Sequence, residues 1–164
     1  MRSPLALRLL ILLGACAPRR SAAPPVEDAG ADGAAITLER TACFGDCPVY
    51  RISVSPGGSV SYEGKAHVRQ LGPASARIPE ERVKSLLSEL DRAGYFSFAD
   101  RYAPAEAACG RYVTDSPSAI SSIQLQGRAK RIEHDYGCGA APRALAVLER
   151  RIDEVLGSAQ WTDR

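Results

Sequence analysis

The sequence predicts an α+β fold: an antiparallel sheet of about five or six strands with two helices packed on one face. Three observations carry this expectation. Apolar and polar residues alternate on both sides of a glycine-rich turn, as in a hairpin. Two later stretches repeat apolar residues at helical spacing. Strands precede each helix in pairs, ββ and then α, twice along the chain.

The first strand is marked by Ile36 and Leu38, alternating with polar neighbours. After a loop over 43–48, Tyr50, Ile52 and Val54 alternate with Arg51, Ser53 and Ser55. Pro56-Gly57-Gly58 turns the chain, and Val60 and Tyr62 continue on the returning strand. Residues 66–69, after Gly64, are expected to add a short third strand. A helix is predicted over 79–93, because Val83, Leu86, Leu87 and Leu90 share a face. Pro79 suits its start, Glu80 and Glu81 suit the positive end of its dipole, and Gly94 ends it. Tyr95, Phe96 and Phe98 then dock the helix end into the core. Residues 101–117 are long and polar and read as a loop stapled by Cys109. Ile120, Ile123 and Leu125, the Gln126-Gly127 turn and residues 129–134 make a second hairpin. Leu145, Leu148, Ile152 and Val155 define a second helix over 142–156, opened by Pro142 and closed by Gly157.

The chain before this domain reads as an address. Arg2 and Arg8 give positive charge, residues 9–13 are an unbroken apolar run, and Leu13-Gly14-Ala15-Cys16 follows. The run is too short to span a membrane, which takes roughly 20 apolar residues. The pattern resembles a bacterial lipoprotein signal: residues 1–15 are removed and Cys16 carries lipid. Two or three acyl chains give stable anchoring where one gives marginal binding. Residues 17–35, rich in Ala, Pro, Gly and Asp, form a disordered tether with a reach of about 20–25 Å. The folded domain is expected over 36–160. The expected location is the cell envelope, lipid-anchored. Ala17 after the cysteine, in place of aspartate, favours the outer membrane, facing the periplasm or the cell surface.

Of 21 Lys+Arg, Arg2 and Arg8 fall in the leader, so the mature chain balances its 19 acids. That argues against nucleic acid as a partner. Of five cysteines, lipidation of Cys16 leaves an even set of Cys43, Cys47, Cys109 and Cys138, as an oxidising compartment favours. Of the three pairings these allow, Cys43 with Cys47 and Cys109 with Cys138 is expected, because each flanks a local closure.

The stretch Cys43-Phe44-Gly45-Asp46-Cys47-Pro48-Val49-Tyr50 resembles a C-x-G-x-C-P-x-Y signature of a bacterial family, domain of unknown function 6438. The resemblance extends through residues 58–64, Thr114-Asp115-Ser116-Pro117, residues 127–130 and the final helix. It implies a recurrent, often exported domain with no assigned catalytic residue.

The loop between Cys43 and Cys47 is the candidate binding site, with Phe44, Gly45 and Asp46 held on a stapled turn. Tyr50 shares the alternation of Ile52 and Val54 and is expected in the core. A redox reading makes Cys43 or Cys47 an attacking thiolate, an envelope thiol–disulfide oxidoreductase. Against it, three residues separate the cysteines and Pro48 leads into a strand, whereas oxidoreductases place two residues between cysteines at a helix N-terminus. His67 and His134 each stand alone, so neither a metal site nor a cofactor is implied. Asp46, Asp115 and Glu133 make a carboxylate pair only if the fold joins them. No nucleophile elbow and no phosphate-cradling glycine loop is present, so no catalytic residue is assigned. Arg143, Arg150 and Arg151 fall on the polar side of the last helix. The sequence thus points to a non-enzymatic envelope module whose partner is an envelope protein or a cell-wall glycan.

Overall fold

A computed structural model of the chain describes residues 33–163. The expected leader over 1–15, the lipidated Cys16 and the tether up to residue 32 lie outside the described residues. Among the described residues, seven strands form one sheet: β1 (Ile36–Arg40), β2 (Val49–Val54), β3 (Ser59–Ala66), β4 (Gly72–Arg77), β5 (Arg101–Tyr102), β6 (Ser118–Leu125) and β7 (Arg128–Asp135). Their order is β4-β3-β2-β1-β6-β7-β5. The helices are α1 (Glu80–Arg92), α2 (Arg143–Leu156) and the single turn α3 (Ala159–Thr162).

The fold is α+β, with seven strands where five or six were expected and two further departures from the expected sheet. The sheet is mixed, because β5 runs parallel to β7 at its edge. The third strand is not 66–69: β3 runs to Ala66, His67 then takes a left-handed backbone (φ 53°), and the next strand begins at Gly72. Gly64 makes this turn possible, since a Cβ there would meet the Gln70 carbonyl oxygen at 2.0 Å. Residues flanking 36–160 are packed as well. Ala34 and Ala35 are buried, with Ala35 N–H donating to Val54 O, and Trp161 is buried with its carbonyl accepting from Gln70 N–H.

Strand alternation puts Ile36, Leu38, Ile52, Val54, Val60, Tyr62, Ile123 and Ile132 on one face of the sheet. The two long helices cover that face with Val83, Leu86, Leu87 and Leu90 from α1 and Leu145, Leu148, Ile152 and Val155 from α2. Arg151 of α2 pairs with Glu89 of α1 at 3.2 Å. The C-terminal turn adds an aromatic stack, Tyr50 on Tyr62 (5.6 Å) and Tyr62 on Trp161 (4.7 Å). The opposite face of the sheet carries Thr37, Ser53, Ser61, Ser75 and Ser122 in one row of register partners.

The sheet has two unlike ends. The chain enters β1 at one end, where the turns 55–58 and 126–127 also lie. Residues 41–48, 67–71, 103–117 and 136–142 all gather at the other. Among the described residues no helix is long and apolar enough to cross a membrane.

Candidate functional site

The second end is built as a stapled tip. Cys43 is bonded to Cys47 and Cys109 to Cys138. The two staples differ in setting. Cys109 and Cys138 are buried, whereas Cys43 and Cys47 are half-exposed. The loops are also stitched to one another. Phe44 N–H donates to Asp115 O (3.1 Å), Val113 N–H to Gly137 O (2.9 Å) and Gly139 N–H to Arg111 O (2.8 Å). Gly137 has no room for a side chain, since a Cβ would sit 2.0 Å from the Val113 carbonyl oxygen.

Of the five exposed large hydrophobic residues among the described ones, four lie in these loops: Phe44, Leu71, Tyr112 and Val113. Phe44 is 89% exposed. Asp46 is solvated and faces His67 at 3.2 Å. Gly45, at φ 149°, holds the turn between them. Three of the four non-glycine residues with positive φ, His67, Ala105 and Asp115, are in the same loops. Each costs on the order of 1 kcal/mol of backbone strain, and such strain concentrates where surrounding structure fixes a surface in place.

Beneath the tip lies a buried polar network that the sequence reading did not find. Arg40 and Tyr50 are register partners at the two bases of the 41–48 loop. Asp153 of α2 accepts from Tyr50 Oη (2.5 Å), Arg40 Nε (3.1 Å) and Arg40 Nη2 (2.7 Å). Arg40 Nη1 donates to Tyr136 Oη (2.5 Å), and Tyr136 donates to Glu149 (2.6 Å). Glu149, fully buried, also meets His134 Nδ1 at 3.0 Å. His134 therefore does not stand alone, as its isolation in the sequence suggested. Tyr50 sits in the core as expected, and its hydroxyl is engaged as well.

Burial, then Asp153, pushes the Tyr50 hydroxyl above the usual phenol range. Burial, then Glu149, does the same for Tyr136, against the opposing pull of Arg40. Both rings stay protonated and serve as donors. For Arg40, burial opposes the charge, but Asp153 and Tyr136 outweigh it and hold the guanidinium cationic. One helix thus anchors the strand ends that carry both stapled loops, through carboxylates one turn apart.

The remaining sequence candidates are not gathered. Asp46 pairs with His67, Glu133 with Arg101 (3.2 Å), and Asp115 accepts from Thr114 (3.0 Å), so no carboxylate pair is assembled among them. Among the described residues no three His, Cys, Asp or Glu side chains converge as a metal site needs. Neither Cys43 nor Cys47 lies at a helix N-terminus. Arg143 and Arg150 are exposed, and Arg151 bridges Glu89 and Glu154.

A family model described as a domain of unknown function, DUF6438, matches residues 34–156. The chain belongs to this family. The DUF6438 match begins at the buried Ala34 and ends at the last residue of α2, so it takes in both staples and every member of the buried network. A comparison with curated proteins found no match.

Proposed function

We propose that this DUF6438 chain is a lipid-anchored binding module of the bacterial envelope, held at Cys16 and docking an envelope protein through its stapled tip. One observation carries the reading: four of the five exposed large hydrophobic residues among the described ones share one end of the sheet, and three of them, Phe44, Tyr112 and Val113, sit on loops fixed by two disulfides. Apolar side chains on a pre-ordered surface bind with little loss of conformational freedom. Phe44 serves as the anchor, since aromatic residues dominate the energetics of protein interfaces. The tether joins the domain at the opposite end, which leaves the tip clear of the anchoring bilayer. The leader and Cys16 support an envelope address, Ala17 in place of aspartate supports the outer membrane, and a flexible tether supports search near the surface.

The test places a photo-reactive phenylalanine analogue at position 44 in the full chain and irradiates intact envelopes. A discrete protein adduct is expected from position 44 and none from Glu81 on α1. Val113→Ala is expected to reduce the adduct severalfold while the melting temperature holds. Adducts of equal yield from both positions, or no dependence on Val113, would refute tip docking. Cys16→Ser is expected to move the protein from the membrane pellet to the soluble fraction. Unchanged fractionation would refute the anchor independently of the tip.

A further inference from the structure

Among the described residues, no helix covers the face of the sheet opposite the core, and this face lies apart from the tip. Among the described residues, Arg51 is the one half-buried Lys or Arg with neither a hydrogen-bond nor an ion-pair partner; Arg40, Lys130 and Arg151, of similar burial, all have one. Its register neighbours on both sides are glutamates. Glu39 is taken by Lys65 at 2.5 Å, and Glu63 makes no ion pair with it. On one side Arg51 shares a small dent of about 20 Å³ with Arg131, the Lys65-paired Glu39, Ile120 and the hydroxyl residues Thr37 and Ser122. Both hydroxyl residues are 8% exposed with no helix above them, and neither side chain has a hydrogen-bond partner among the described residues. On the other side Arg51 borders an open depression of about 450 Å³, lined by Ser53, Ser61, Glu63 and Pro73.

We propose that this face binds a carboxylate-bearing saccharide, its acid on Arg51 and Arg131 and its hydroxyls on the serine row. The donors match the chemistry. A guanidinium with free N–H groups takes a carboxylate, often in a bidentate fork. Serine hydroxyls donate and accept, as sugar hydroxyls require, and Glu63 accepts from a sugar O–H. The same Glu63 disfavours a bare anion, which brings charge without donors. A ligand carrying both an acid and hydroxyl groups answers Arg51, Arg131, Glu63 and the serine row together.

The test compares three probes on the full chain in detergent: N-acetylmuramic acid, N-acetylglucosamine, which lacks the lactyl acid, and inorganic phosphate. Binding is measured by calorimetry, and the site is located by protection of arginines from phenylglyoxal, read by mass spectrometry. The acid sugar is expected to bind roughly tenfold or more tightly than the neutral one, the worth of one charge-assisted contact, and to protect Arg51 and Arg131. Arg51→Gln is expected to abolish the difference, and Arg131→Gln to reduce it, with little change in melting temperature, because neither side chain makes a hydrogen bond or ion pair among the described residues. Equal binding of both sugars, protection elsewhere, or phosphate binding as tightly as the acid sugar would each overturn the proposal. None of these outcomes bears on docking at Phe44.

Discussion

The coupling of Tyr50 to Asp153 can be measured by a double-mutant cycle. Tyr50→Phe keeps the ring on Tyr62 and removes only the hydroxyl that donates to Asp153 at 2.5 Å. A hydrogen bond to a charged acceptor is worth about 1.5–3 kcal/mol, so a loss near 2 kcal/mol is expected. Asp153→Ala strips the same bond and both contacts to Arg40, whose side chain is 14% exposed and keeps Tyr136. Breaking a buried pair costs about 3–5 kcal/mol, and the residual exposure of both partners brings this to about 3 kcal/mol. The double variant should then fall short of the sum by about 1.5 kcal/mol, because the shared bond is lost only once. For a domain of about 130 residues, 1 kcal/mol corresponds to roughly 4 °C in melting temperature. Guanidinium unfolding with linear extrapolation gives the four stabilities. Additivity within about 0.5 kcal/mol would show that Tyr50 and Asp153 do not act together, and the tip would lose its anchor to α2.

Three further outcomes are expected. Replacing Cys109 and Cys138 by Ser should cost more than replacing Cys43 and Cys47, because their sequence separations are 29 and 4; loop-closure entropy gives roughly 3.6 against 1.9 kcal/mol, checked by denaturant melts of the two double variants. Stability should fall as pH rises above about 10, where the unfolded chain's tyrosines ionise. Tyr50, Tyr95 and Tyr136 hold raised folded-state values, so the native state retains protons that the unfolded state releases. Tyrosinate absorbance should therefore rise with unfolding, and Tyr50→Phe should flatten the alkaline limb of the stability curve. Gly137→Ala should push the 112–113 segment off its bridge to Cys138 and lower the melting temperature; amide exchange at Val113, which donates to Gly137, would report it, and unchanged protection would refute the close approach.

What the sequence disclosed, and what it did not, has a physical pattern. The 49–62 hairpin and both long helices were legible because large apolar residues keep one period over whole elements. β4 was not, because its inward positions are Gly72, Ala74 and Ala76, too small to mark a period. The stretch 66–69 has strand-like composition, but one left-handed residue, His67, diverts it, and no local pattern announces that. β5 is two residues long and exists only through its pairing with β7. The family resemblance was readable from the cysteine motif, and the short-range staple followed from its spacing. The buried network was harder, since Arg40, Tyr136, Glu149 and Asp153 are far apart in the chain. One signal was present: Glu149 stands four residues after Leu145 and three before Ile152, on the apolar stripe itself. A charged residue on that face must find a partner inside, and His134 and Tyr136 are those partners.

With the chain held at Cys16 and docked at Phe44 as proposed, the placement of Ala34 and Phe44 at opposite ends of the sheet would set how the domain bears tension. A pull between Gly33 and Phe44 would enter the sheet at β1 and leave just past Arg40, so the load would run along β1 alone. That strand is central, with β2 on one side and β6 on the other, both antiparallel. Its inter-strand hydrogen bonds lie across the direction of pull, so they share the load in shear rather than opening one after another. The rest of the fold acts as a lateral clamp, and the Cys43–Cys47 bond keeps the far end of the strand from unravelling into its loop. Such a module would hold its partner against force applied along the line of its own anchor.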